Sequence, residues 1–309
     1  MSRTIAVTRP EAGPETHRTR RAGLGLLVVA GVLWGAGGLT GSLLARHTGL
    51  TSPAVATYRL GVGGLLLVIF FRCARRPMPR GRAAWTRIVA IALLAAEFQA
   101  SYFAAVERVS VSLGTLLTIG ASPVLVMIAE GVTGRRRIGS RAVVTLVLAV
   151  TGLTLLIGVP QGERDLTTML AGAGFALLAA GGFATMTLIG SRPVDGLDDL
   201  ASTGFAFTLG ALVLAPPAAA GGGLSFTPSW PSLGLLVLLG VGPTALAYAA
   251  YFGGLRTADA GTAALMALLE PLVGTALAVV VLGDRLSLAG LGGAALLIAA
   301  LLLESRRAQ

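Results

Sequence analysis

Three charged residues stand inside otherwise apolar stretches of this 309-residue chain: Glu97 between Ala95-Ala96 and Phe98-Gln99, Glu270 directly before Pro271, and Arg59, six residues past Pro53. A charge near the centre of a bilayer costs about 2.5–3.5 kcal/mol on insertion scales, so it is retained there for a role or a partner. These three could do binding chemistry. Glu97 or Glu270 would take an ammonium group or a proton, and Arg59 a carboxylate. Trp34, Gln99 and Tyr248 stand at similar depths and could complete such a site. Pro123 and Pro271 each lack an N–H and free the carbonyl four residues earlier, at Ile119 and Ala267. Kinks at those two places could act as gates.

The same residues allow a plainer arrangement, an Arg59–carboxylate pair that locks two helices together. That arrangement is favoured for Arg59, which lies roughly 9 Å from the end of its span at 1.5 Å per residue and could snorkel to the surface. For Glu270 a functional role is favoured, because a helix-breaking proline follows it. Glu97 fits either. Glu130, near Arg135, reads as half of an interfacial ion pair, and Tyr102 and Tyr251 as interfacial anchors or site residues. The glycine pairs Gly31/Gly35 and Gly37/Gly41 read as places of close helix contact.

Other chemistries lack their residues. All 24 basic side chains are arginines, which removes a Walker A loop and a Schiff-base lysine. Cys73 is the one cysteine, so there is no disulfide framework and no CxxC metal site. His17 and His47 stand apart and make no metal site. Gly290-Leu291-Gly292-Gly293-Ala294-Ala295 fits a dinucleotide fingerprint, but no strand precedes it and no soluble βαβ unit contains it. No cofactor is expected.

The elements that must position these residues follow from composition. Hydrophobic residues make up 54% and charged ones 12%, about half the charged share of a soluble domain, and mean hydropathy is +0.81. A soluble enzyme and a disordered chain are both excluded. A span needs about 20 apolar residues, and ten stretches qualify: 23–44, 53–71, 88–107, 109–129, 142–159, 168–190, 200–219, 232–252, 260–282 and 286–303. The first exceeds the apolar core of a signal peptide and is read as an uncleaved helix. Connections are short, which leaves no extramembrane domain. The parts are a basic tail at 1–22, one five-helix half at 23–159, a second at 168–304 and a short end at 305–309.

Arginine counting orients the chain, because short positively charged loops stay cytoplasmic. With the N-terminus inside, nineteen arginines fall inside, four outside (Arg46, Arg108, Arg164, Arg285) and Arg59 within a span. Both termini are then cytoplasmic in a cell membrane. The asymmetry accounts for the net charge of +10 without a nucleic-acid partner.

The halves repeat. Tyr102-Phe103 matches Tyr251-Phe252 at an offset of 149, Pro123 matches Pro271 at 148, and Gly134 matches Gly283 at 149. Five spans per half is an odd number, so equivalent loops face opposite sides. The loop after the second span carries six arginines, and its counterpart at 220–231 carries none. Inverted repeats of this kind suit alternating access.

Leu269-Glu270-Pro271-Leu272-Val273, then Val281-Leu282-Gly283-Asp284-Arg285-Leu286 and the Gly-rich run 290–303, resemble the EamA family of the drug/metabolite transporter superfamily. Ala121-Ser122-Pro123-Val124 with Gly134-Arg135 is a weaker first-half copy, differing from the family's usual Gly-Glu turn. Tyr58-Arg59-Leu60 looks like the family's arginine position. The resemblance implies a permease for small metabolites, often an exporter of amino acids or toxic compounds. Taken together, the reading is an all-α integral membrane protein with ten transmembrane helices in two inverted five-helix repeats. It predicts a secondary transporter, driven by solute or proton gradients, whose site comprises Glu270, Glu97, Arg59, Trp34, Gln99 and Tyr248. The solute and the bilayer are its expected partners, with a homodimer left open. A membrane-embedded enzyme and a non-transporting receptor or scaffold are the alternatives. Single cysteines replacing Arg80 and Ser229, in a Cys73→Ser background, should react with an impermeant reagent from opposite sides of the membrane. Labelling of both from one side would overturn the inverted topology.

Overall fold

The computed structural model describes residues 14–135, 139–158, 165–283 and 285–308. Arg3, Arg9, Arg136, Arg137, Arg164, Gly162-Glu163 and Asp284 lie outside the described residues. The described residues form ten membrane-length helices. They are α1 (Pro14–Thr48), α2 (Ser52–Cys73), α3 (Gly81–Arg108), α4 (Val111–Val132) and α5 (Ser140–Ile157), then α6 (Leu166–Gly190), α7 (Asp199–Ala220), α8 (Trp230–Gly254), α9 (Ala260–Val281) and α10 (Leu288–Ala308).

Local chemistry sets many of the ends. Pro53 opens α2 at a position where its missing N–H costs nothing. Ser110, Asp165, Asp198 and Ser229 cap α4, α6, α7 and α8 by accepting otherwise orphaned backbone N–H groups. Gly134 and Gly283 follow the ends of α4 and α9 with φ of +68° and +74°, a left-handed turn that favours glycine. Three boundaries differ most from expectation. Helix α1 begins at Pro14, inside the stretch read as a tail, α3 begins at Gly81 rather than near 88, and α10 runs on to Ala308, through the stretch read as a short end. All three added stretches carry arginines, and hydropathy registers only the apolar part of a helix.

The packing has a two-fold pattern. Helix α3 packs on α6 as α8 packs on α1; α4 packs on α6 as α9 packs on α1; α3 packs on α7 as α8 packs on α2. Helices α2 and α7 pair with each other, and so do α5 and α10. Exchanging the two halves turns each of these principal contacts into another of them or into itself, and with five crossings in each the equivalent helices run in opposite directions. The inverted repeat is therefore the fold. Large apolar side chains such as Val29, Ile69, Leu93 and Val147 remain exposed on its outside, as a lipid-facing surface requires.

Glycine lets the helices approach. A Cβ at Gly64 of α2 would lie 2.5 Å from the Thr208 nitrogen of α7. At the other self-paired contact, a Cβ at Gly293 of α10 would lie 2.4 Å from the Leu156 nitrogen and 2.6 Å from the Gly152 oxygen of α5. Close approach between backbones supplies the van der Waals attraction that drives association in lipid. Gly293→Val should therefore separate α5 from α10 and destabilise the folded state by about 1–3 kcal/mol, measured as a lower thermal midpoint in detergent. An unchanged midpoint would show that this contact yields without cost.

Candidate functional site

Two prolines shape the centre of the bundle. In α9 the helical segments Ala260–Met266 and Leu269–Leu277 are separated by a tight turn. There Leu268 N–H donates to the Leu265 carbonyl and Glu270 N–H to the Ala267 carbonyl, each at 3.0 Å. The carbonyl that Pro271 cannot serve is thus taken by Glu270, which enters the second segment in its first turn. Helix α4, by contrast, runs unbroken through Pro123. The two prolines occupy equivalent positions with unequal consequences.

In α8 the stretch Val241–Leu246 widens to π-helical geometry, with Ala247 N–H reaching back five residues to the Gly242 carbonyl. Pro243 leaves the Leu239 carbonyl without its usual donor, and the Thr244 hydroxyl donates to it at 2.9 Å. Arg59 of α2 reaches this segment. Its Nε donates to Thr244 Oγ1 at 3.3 Å and its Nη2 to the Pro243 carbonyl at 3.4 Å. Pro243 therefore anchors a predicted site residue through its carbonyl.

Glycines on α1 bring these parts together. A Cβ at Gly31 would lie 2.6 Å from Leu269 Cβ, one at Gly35 would lie 2.9 Å from the Glu270 carbonyl, and one at Gly37 would lie 2.9 Å from Pro243 Cβ. The close-contact reading of Gly31, Gly35 and Gly37 is what the packing uses. Trp34, between them, makes edge contacts with Tyr248 at 4.9 Å and Phe183 at 6.0 Å, and a tilted contact with Tyr251 at 5.0 Å between ring centroids.

A cavity of about 490 Å³ opens among these side chains, lined at depth by Trp34, Arg59, Phe98, Gln99, Phe183, Tyr248 and Glu270. That volume falls in the usual range for small-molecule sites. It continues past Tyr102 and Thr118 to Ser42, Arg46, Ser52 and Val111, so its mouth lies where α1 meets α2 and α3 meets α4. Five of the six predicted binding residues share it: Trp34, Arg59, Gln99, Tyr248 and Glu270. Glu97 does not line it. Its Oε1 accepts from Ser101 at 2.9 Å, and its Oε2 sits 1.8 Å from where a Cβ of Gly182 would be, between α3 and α6. Pro123 and Pro271 lie off the lining too, Pro123 buried near α6 beside Ser122.

The charges in the cavity are not paired off. Among the described residues, neither Arg59 nor Glu270 forms an ion pair within 4 Å, so the helix-locking pair anticipated for Arg59 is not what it makes. Trp34 Nε1, which is buried, has no acceptor among the described residues. Tyr251 is fully buried, its hydroxyl 2.8 Å from that of Thr187, and is not an interfacial anchor. Glu130, in the last turn of α4, is buried against protein. Sequence reasoning missed Phe98, Phe183 and Thr244. Only Thr244, beside a mid-span proline, carried a local signal.

The opposite, arginine-rich end is shut. Arg76 donates to Asp198 at 2.8 Å, Arg87 donates to the Arg192 carbonyl at 2.8 Å, and Arg256 grips Asp199 through both Nε and Nη2. The hydrogen bond to Asp199 raises the Arg256 pKa above its ordinary value, against an opposing push from burial. A raised value keeps the Arg256 guanidinium charged until pH climbs through it, so its side of the clasp is in place throughout the neutral range. Between Ile91, Ser202 and Phe252 beneath it only about 10 Å³ is left, about one water's probe volume.

The model of the EamA-like transporter family matches residues 21–158 and again 170–306. The chain belongs to this family. Its relatives include the uncharacterized transporter YwfM of Bacillus subtilis, 27% identical over 283 residues that cover 90% of this chain and 92% of that one. Another is the uncharacterized inner membrane transporter YicL of Salmonella typhimurium, 23% identical over 94% of this chain and 97% of its own. A protein of known crystal structure shares the fold at 17% identity, with a TM-score of 0.77 over 92% of this chain and 97% of that chain. This EamA-like chain is thus a multi-pass membrane transporter. Asp199→Asn should weaken the clasp. In a Cys73-free background, Ile91→Cys should then react with an impermeant thiol reagent about two- to fivefold faster from the arginine-rich face, the range a partly exposed ion pair allows. An unchanged rate would assign the seal to apolar packing.

Proposed function

We propose that this EamA-like protein is a secondary exporter of small zwitterionic metabolites, amino acids foremost, working by alternating access in the cell membrane. The observation that carries this is the presence of Arg59 and Glu270 on one aromatic-walled cavity without a bond between them. A zwitterion satisfies both: its carboxylate pairs with the guanidinium and its ammonium with the glutamate. Charge-assisted bonds of this kind are strong where water is scarce. Trp34, Tyr248, Phe98 and Phe183 accept an apolar side chain, and a ring among them contributes further stacking.

Both termini are cytoplasmic in this reading, because the arginine-rich loops face the cytoplasm. The form described above then opens outward and is sealed inside by the clasp. The Salmonella relative carries the words inner membrane in its name, which agrees with the cell membrane as the site. Export follows when the opposite form loads the cavity from inside. Glu270 couples the cycle to protons: it is charged while the ammonium rests on it and takes a proton once the solute leaves outward. The proton is carried inward on the return, so one solute leaves for one proton entering.

Proteoliposomes loaded with labelled phenylalanine test this. Efflux should accelerate when the receiving side is acidified, and Glu270→Gln should remove that acceleration. The Gln variant should also lower kcat/KM by about ten- to a hundredfold, as expected for losing one charge-assisted bond. Efflux indifferent to the pH gradient in the unmodified protein would refute proton coupling. Normal efflux by a folded Gln variant would reduce Glu270 to a packing residue.

A further inference from the structure

We infer that Thr244 is a positioning residue: its hydroxyl fixes the Arg59 guanidinium in the cavity, and through Arg59 it sets the preference for a carboxylate-bearing solute. This rests on the reading above in which Arg59 receives the carboxylate. Thr244 is fully buried and is not among the cavity-lining residues, so it acts through Arg59 and not on the solute.

The hydroxyl has one hydrogen, and its use is decided by Pro243. In a regular helix the Leu239 carbonyl would accept from the N–H of residue 243, which proline lacks. An unserved carbonyl at this depth is costly, and the Thr244 hydroxyl serves it at 2.9 Å. With its hydrogen committed there, Thr244 Oγ1 offers only lone pairs, and Arg59 Nε–H uses them at 3.3 Å. The Pro243 carbonyl takes Nη2 at 3.4 Å. Both holders are neutral, so the guanidinium is oriented while its charge remains available to an anion. A carboxylate in either place would orient it equally well and cancel it.

The backbone is arranged to permit this. Arg59 lies one turn before Gly63 on α2, and a Cβ at Gly63 would lie 2.8 Å from both the Gly240 carbonyl and Thr244 Cγ2. Glycine at 63 allows α2 to come close enough for a side chain one turn away to reach the widened segment of α8. π-Helical turns recur at functional sites because they redirect backbone groups in this way.

Three variants test the assignment. Thr244→Val keeps the shape and removes the hydroxyl, Thr244→Ala removes it without adding an apolar methyl pair, and Thr244→Ser retains it. The first readout needs no solute. In protein carrying ¹⁵Nε-arginine, the Arg59 signal is identified by its absence from Arg59→Lys. It should shift and exchange faster with water in the Val and Ala variants and stay in place in the Ser variant. The second readout compares phenylalanine with phenethylamine, which lacks the carboxylate, in proteoliposomes. The Val and Ala variants should raise KM for phenylalanine about tenfold with kcat little changed, leave phenethylamine unaffected and regain the original KM with serine. Normal phenethylamine transport also shows that each variant is folded. An unmoved Arg59 signal, or an unmoved phenylalanine KM, in both hydroxyl-free variants would overturn the positioning role. If the unmodified protein handles the two compounds alike, the underlying carboxylate reading fails instead.

Discussion

A backbone carbonyl released by a proline inside a membrane must find another donor, because hydrocarbon offers none. The centre of this transporter is organised by two such replacements. At Pro271 the Ala267 carbonyl is taken by the Glu270 N–H, which tightens the chain into a turn and sets Glu270 at the head of a new helical segment. At Pro243 the Leu239 carbonyl is taken by the Thr244 hydroxyl, and the surrounding turn widens. One replacement delivers a carboxyl to the cavity, and the other delivers the groups that hold a guanidinium. Pro123 shows that the proline alone does not decide the outcome, since α4 continues through it.

Glycine supplies the second condition. Helix α1 lies against the broken α9 and the widened α8 through Gly31, Gly35 and Gly37, at distances that leave no room for a Cβ. Trp34 is thereby carried into contact with Tyr248 and Tyr251, and the aromatic wall closes around the two charges. The two-fold contact pattern builds the frame, whereas the site is asymmetric within it. Arg59 belongs to the first half and Glu270 to the second, so the cavity draws one charge from each.

The two ends of the bundle differ in the same way. The mouth of the cavity is lined by Ser42, Arg46, Ser52 and Val111 and is open, while at the other end Arg76 and Arg256 pair with Asp198 and Asp199 and Arg87 donates to the Arg192 carbonyl. Partly exposed ion pairs of this kind contribute about 0.2–1 kcal/mol each. The closed end holds two such pairs, Arg76–Asp198 and Arg256–Asp199.

Ten spans, their inverted repetition and the arginine-rich face were legible in the sequence, because hydropathy, an odd span count and loop charge are local properties of the chain. So was the short list of polar groups able to share a site, since charged residues at mid-span are few. Tertiary structure alone decided which of them meet. Arg59 turned toward the cavity while Glu97 turned to Gly182, and Phe98 and Phe183 became walls. A helix that is apolar on every side carries no periodic mark of which face is buried, because lipid and protein interior are equally apolar. The end at which the cavity opens had no linear signal either, since it depends on how helices far apart in the chain pack together.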